Sequence, residues 1–185
     1  MKRILIALLC LVAALALLCA CGGSGAPAPG VTDTAPAAAE EPSPAQASAP
    51  VGEMAIRFET TAFDGSAVDE SILSGAALTM LNFFEPWCPP CIAELPELQA
   101  LSENYAAEGF QLLGVYSTEE GVDAVLQNAG VSYPALRYVP AFDQYQTGYV
   151  PTTVFLDSAG NLIGEPVIGS RSYEQWEQIV KELLA

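Results

Sequence analysis

Cys88 and Cys91, separated only by Pro89 and Pro90, are the residues of this chain best suited to covalent chemistry. Its 185 residues include five cysteines and no histidine. Ser-His-Asp and Cys-His catalysis, imidazole metal sites and histidine-ligated haem are therefore excluded, and sulfur is the reactive group that remains. A Cys-x-x-Cys pair can hold zinc, staple a loop or cycle between dithiol and disulfide. Zinc needs two further soft ligands, and there is neither a histidine nor a second pair to supply them. A staple across so short a loop removes little chain entropy. Redox cycling is left, and it needs no cofactor and no metal.

The elements around the pair explain why it would react. Ala77 to Phe84 is mostly apolar with little alternation, as in a strand covered on both faces. From Cys91 to about Ala107, apolar residues recur at Ile92, Leu95, Leu98, Leu101 and Tyr105, a helical spacing that Gly109 ends. Cys88 thus stands just ahead of a helix, where free N–H groups and the positive end of the dipole favour a thiolate. Pro89 and Pro90 occupy positions whose missing N–H costs the helix little, yet they withdraw two donors from the sulfur. The thiolate is expected to be only moderately stabilised. Cys88 is expected to be the exposed nucleophile, and Cys91, one turn in, the resolving thiol.

Further along, Phe110 to Tyr116 reads as a second buried strand and Glu119 to Ala129 as a helix stopped at Gly130. Thr152 to Leu156 and Leu162 to Val167 flank a turn at Asp157-Ser158-Ala159-Gly160, an antiparallel hairpin. Ser172 to Leu184 is amphipathic, with Ser172 as N-cap. An earlier hairpin turns at Asp64-Gly65. The order β-α-β-α-β-β-α predicts an α/β domain with a central mixed sheet flanked by helices on both faces.

The N-terminal third has other signals. Lys2 and Arg3 precede 15 apolar residues, Ile4 to Leu18, short of the roughly 20 that a spanning helix needs. Leu18-Cys19-Ala20-Cys21 then resembles the bacterial lipoprotein signal, which implies cleavage after residue 20 and lipid on Cys21; a plain secretory peptide cut near Ala20 and a short uncleaved anchor are the alternatives. Residues 22–50 hold nine Ala, six Pro and four Gly with no aromatic side chain, the composition of a tether reaching roughly 30 Å. The expected organisation is a signal peptide at 1–20, anchor and linker at 21–52, and a folded domain at 53–185. After cleavage, 4 basic residues face 22 acidic ones, a charge of −18. Nucleic acid is a poor partner for such a surface, and acyl chains rather than basic residues would hold it at a membrane.

The segment Leu81-Asn82-Phe83-Phe84-Glu85-Pro86-Trp87-Cys88-Pro89-Pro90-Cys91-Ile92-Ala93-Glu94-Leu95-Pro96 resembles the active-site segment of the thioredoxin superfamily, most of all its TlpA/ResA-like extracytoplasmic thiol–disulfide oxidoreductases. The likeness covers about residues 53 to 185. It implies a thioredoxin-like fold with an N-terminal hairpin, and an insertion between the central strand and a helix. Gly148-Tyr149-Val150-Pro151-Thr152-Thr153 resembles the cis-proline loop that faces the cysteines, with an ordinary trans turn as the alternative. In the cis-proline case, Val150 offers backbone groups to an extended substrate, and Trp87, Pro89, Pro90 and Pro151 border the same surface; for Trp87 a packing role is the alternative. Asn82 stands where thioredoxin has a titrating aspartate. Glu94 matches a glutamate of the TlpA/ResA-like branch and is either a proton acceptor for Cys91 or a partner of the helix dipole. Pro96 implies a kink. Family resemblance further implies disulfide-containing protein substrates, a membrane electron donor of the CcdA/DsbD type, and a place on the extracytoplasmic face of the cell membrane. It also implies work as a reductant in cytochrome c maturation or repair of oxidised proteins.

Two rival functions bear on the same residues. A peroxiredoxin-like peroxidase shares the fold, but its Pro-x-x-x-Thr/Ser-x-x-Cys pattern meets Leu81 and Glu85 at the proline and hydroxyl positions before Cys88. A non-catalytic, lipid-anchored binding module would have no use for an intact pair and proline loop.

Overall fold

A computed structural model describes residues 55–185. The expected signal peptide, the Cys21 anchor and the linker lie outside the described residues, as do the first two residues of the expected domain. Strands β1 (Glu59–Thr61) and β2 (Ala67–Asp69) form the N-terminal antiparallel hairpin. Its turn is held by Asp64 Oδ1, which accepts from the backbone and hydroxyl of Ser66. A 3-10 helix at Glu70–Gly75, capped by Asp69, leads into the main sheet.

That sheet is built on β3 (Leu78–Phe83), whose six residues are all buried. Helix α1 (Pro89–Tyr105) returns the chain to β4 (Phe110–Tyr116), parallel to β3. Helix α2 (Val122–Ala129) leads to β5 (Ala135–Arg137), parallel to β4. After a 3-10 helix at Pro140–Tyr145, β6 (Thr152–Asp157) pairs antiparallel with β3 and β7 (Leu162–Ile168) with β6. Helix α3 (Tyr173–Leu184) follows, with Ser172 N donating to Gln175 Oε1 at 3.0 Å in its cap. The strand order is β5-β4-β3-β6-β7.

Alternation along β3 divides the core. Leu78 and Met80 pack with Leu95, Leu98 and Leu101 of α1, Leu126 of α2 and Trp176 and Val180 of α3. Leu81 and Phe83 face Phe58, Leu73 and Phe142 on the other side. Helices flank both faces, as expected, but unequally. The three α-helices share one face, and the N-terminal segment with the two 3-10 helices covers the other. A buried aromatic such as Phe142 removes enough apolar surface to stabilise by about 1.5–3 kcal/mol, so short elements suffice there.

The α2–β5 segment stands between β4 and the 3-10 helix at Pro140–Tyr145. One expectation is corrected. Glu119 to Gly121 precede α2 rather than forming its first turn, because Gly121 sits at φ +82°, outside helical geometry. Helix α1 runs unbroken through Pro96, which is exposed, although the missing N–H leaves one carbonyl without its usual donor.

Candidate functional site

Strand β3 ends in the loop 84–88, and the loop is fastened before it reaches the cysteines. Phe84 N donates to Val115 O at 2.9 Å, and Cys88 N to Glu85 O at 3.0 Å. Cys88 is the N-cap of α1, with Pro89 and Pro90 in the first helical positions, as expected. Its Sγ accepts from Cys91 N at 3.3 Å, the donor that a capping oxygen would use. The two cysteines form a disulfide, with Cα atoms 5.3 Å apart.

The expected open exposure of Cys88 is not found. In the disulfide form Cys88 is 4% exposed and Cys91 1%. Val150 O lies 3.7 Å from Cys88 Sγ, closing that side. What distinguishes the two sulfurs is position at the helix start. The Val150–Pro151 peptide is cis, so the proline loop has the conformation that the resemblance implied and stands against the pair. Trp87 and Tyr149 flank it, 65% and 68% exposed. Trp87 Nε1 donates to Thr118 Oγ1 at 3.1 Å, leaving its ring face open.

Glu94 lies below the pair, on the same face of α1 as Cys91, and it is 3% exposed. Its Oε1 accepts from Arg171 N at 2.7 Å and Trp176 Nε1 at 2.6 Å. Oε2 is buried with no hydrogen-bond partner among the described residues. Burial pushes the Glu94 carboxyl above the ordinary carboxylate range, against the opposing hydrogen bonds from Arg171 and Trp176. The hydroxyl of Tyr133, also buried and unpartnered, is pushed up by burial and then by the Glu94 charge. Asn82, 1% exposed, donates to Thr153 Oγ1 at 3.0 Å across β3 and β6, so it has a structural partner.

One residue of the site was not singled out from sequence. Glu85 is 8% exposed, and its carboxylate accepts from Ser117 N at 3.1 Å, from Ser117 Oγ, and from Thr118 N at 3.0 Å. It ties the cysteine loop to the turn after β4, and through Thr118 to the indole of Trp87. An acid directly after the mostly apolar run Leu81-Asn82-Phe83-Phe84 was the available signal, since burial of a carboxylate demands partners.

A strand, a short loop with a Cys-x-x-Cys disulfide at a helix N-terminus, and a cis-proline loop facing it define a thioredoxin-like fold; proteins of this class are thiol–disulfide oxidoreductases. A family profile matches residues 51–164, and the chain belongs to the AhpC/TSA family. It is 28% identical over 140 residues to thiol-disulfide oxidoreductase ResA of Bacillus thuringiensis (strain Al Hakam), covering 72% of this chain and 78% of the relative. To ResA of Oceanobacillus iheyensis it is 32% identical over 124 residues, covering 65% and 64%. Among solved structures, a thiol:disulfide interchange protein of the thioredoxin family from Chlorobium tepidum TLS is 31% identical, with a TM-score of 0.63, covering 71% of this chain and 95% of that one.

Proposed function

We propose that this protein reduces disulfides of exported protein substrates through Cys88 and Cys91, held at the extracytoplasmic face of the membrane by lipid on Cys21. The observation that carries the activity is the Cys88–Cys91 disulfide at the start of α1, against Val150. In the dithiol form, Cys88 as thiolate attacks a substrate disulfide, and one substrate sulfur leaves and takes a proton. Cys91 then attacks Cys88, releasing the second substrate thiol and leaving the Cys88–Cys91 disulfide. Two electrons pass to the substrate, and a membrane donor of the CcdA/DsbD type restores the dithiol. Val150 supports an extended substrate segment by strand addition, with Trp87, Pro89, Pro90 and Pro151 as its border. Clients come from cytochrome c maturation or from repair of oxidised proteins. Dithiothreitol-driven insulin reduction tests the activity, and a wild-type protein that adds nothing to the dithiothreitol background overturns it.

Membership of the AhpC/TSA family gives the peroxidase reading one specific support. Against it, Glu85 occupies the position of the peroxidatic hydroxyl, and a carboxylate that accepts from Ser117 and Thr118 has no hydroxyl hydrogen to donate there. Peroxide consumption at a rate rivalling disulfide reduction would reverse the choice.

The anchor makes its own prediction. Wild-type protein expressed in a bacterium should carry acyl mass at Cys21 and enter the detergent phase, and Cys21→Ala should do neither. Equal partitioning of both, without acyl mass on the wild type, would leave the lipoprotein proposal without support.

Redox poise is the next prediction. Two prolines at the first helical positions, with the Cys91 N–H as the backbone donor to Cys88 Sγ, leave the thiolate modestly stabilised. Equilibration with thiol buffers should place the couple nearer thioredoxin, about −270 mV, than the strong oxidant near −120 mV. A potential at the oxidising end would make the protein a disulfide donor.

A further inference from the structure

A cavity of about 290 Å³ opens between the cysteine loop, β4 and the proline loop. Its apolar floor is Phe83, Phe84 and Val115, all at most 3% exposed. Glu85 and Val150 form the walls nearest the disulfide, and Gln146 stands at the rim. Val150 is the residue whose carbonyl touches Cys88 Sγ, and Glu85 is the one whose carbonyl accepts from Cys88 N. The cavity therefore begins one residue from the site of attack.

Its charge is uncompensated. Glu85 accepts three hydrogen bonds, yet no basic side chain pairs with it among the described residues. Arg57 is paired with Glu70, Arg137 with Glu119 and Lys181 with Glu177. Arg171 donates to the carbonyls of Gly169 and Ser170 in its own loop. A carboxylate offers about four acceptor positions, so one remains open after those three bonds. An apolar floor with one carboxylate in the wall matches a side chain with a hydrocarbon stem and a cationic head.

We propose that this cavity is a specificity subsite that takes the lysine or arginine side chain next to the substrate cysteine. The proposal rests on the disulfide-reductase reading above. A substrate strand paired with Val150 brings its cysteine to Cys88 and sends neighbouring side chains to alternate sides. The side directed toward β4 meets the cavity. Electrostatic complementarity then selects basic segments for an acidic enzyme.

The test uses the dithiol form, reduced with dithiothreitol and freed of it, in single turnover against symmetric disulfides of short peptides. Lysine, norleucine or glutamate occupies the residue before or after the cysteine. Each turnover consumes the Cys88–Cys91 dithiol and one peptide disulfide, and yields the enzyme disulfide and two peptide thiols. Lysine peptides should react about 10- to 100-fold faster than glutamate peptides, the span of a hydrogen bond to a charged group. The preference should survive high salt, which screens the general negative field. Glu85→Gln should collapse the lysine-to-glutamate ratio. Gln146→Lys, an exposed rim change with little consequence for folding, should slow lysine peptides selectively by competing for Glu85. Equal rates for lysine and glutamate peptides in high salt overturn the subsite, as does a fastest reaction with norleucine. A Glu85→Gln variant that slows all three peptides by one factor makes Glu85 a structural tie only. Should no peptide be reduced at all, the reductase reading itself fails.

Discussion

Replacing Cys88 with serine will abolish disulfide exchange, whereas replacing Cys91 with serine will leave a protein that captures substrates and cannot let them go. Both follow from position on α1. Cys88 sits at the N-cap, where its Sγ accepts the N–H of Cys91, and the Val150 O that covers it at 3.7 Å belongs to the loop proposed to pair with a substrate strand. Loss of this sulfur removes the bond-forming atom, and a serine hydroxyl is too weak a nucleophile at neutral pH to replace it. Cys91, 1% exposed and one turn inside, is the thiol that attacks the mixed disulfide in the proposed mechanism. Purification of Cys91→Ser from its native compartment, followed by non-reducing electrophoresis, should show covalent adducts that dithiothreitol releases. Adducts forming through Cys91 in Cys88→Ser instead would reverse the roles.

Glu94→Gln is expected to slow resolution by roughly 10- to 100-fold, the lower range of general-base effects, without disturbing the fold. Attack by Cys91 requires its proton to leave, and Cys91 is buried, away from water that could take it. Asn82 does not titrate, and no histidine is present. Glu94 follows one turn later on the same face, buried, with Oε2 making no hydrogen bond among the described residues and its carboxyl pushed up by burial. Glutamine retains an oxygen to accept from Arg171 N and Trp176 Nε1, so the link to α3 survives. Stopped-flow decay of a preformed mixed disulfide reads the step. Unchanged decay and unchanged thiol titrations would confine Glu94 to a structural role.

The same carboxyl has a consequence for stability whose sign is fixed. Folding raises its pKa above the ordinary 4.5, so in the window between the two values the folded state binds more protons than the unfolded one. The stabilisation is complete below 4.5 and is lost as pH rises through the folded value. Glu94→Gln should flatten that part of the profile in chemical denaturation.

Much of this was legible in the sequence because its signals are local. Continuous burial marked β3, the 3.6-residue period marked α1, and Trp87 to Cys91 between them marked the site. Ala135–Arg137 was not legible as a strand: three residues between Pro134 and Tyr138 show no period, and only pairing with β4 makes them β5. The burial of Cys88 also escaped, because Val150, which covers it, is 62 residues away. Glu94 was recognised as a candidate, but its partners lie 77 and 82 residues on, at Arg171 and Trp176, where nothing local announces them. Glu85 reads as a surface acid until Ser117 and Thr118 are brought to it.

That long reach of Glu94 gives the protein a built-in order of assembly. On the export route proposed here, a chain emerges N-terminus first, so Cys88 and Cys91 enter an oxidising compartment while Arg171 and Trp176 are still on the other side of the translocon. The nascent chain can already close its disulfide, with the Glu94 carboxyl still in water and at its ordinary acidity. Only when α3 has emerged and docked does the carboxyl become enclosed and its acidity change. A half-exported molecule on that route lacks the enclosed Glu94 carboxyl, so the proposed resolving step through Cys91 awaits the docking of α3.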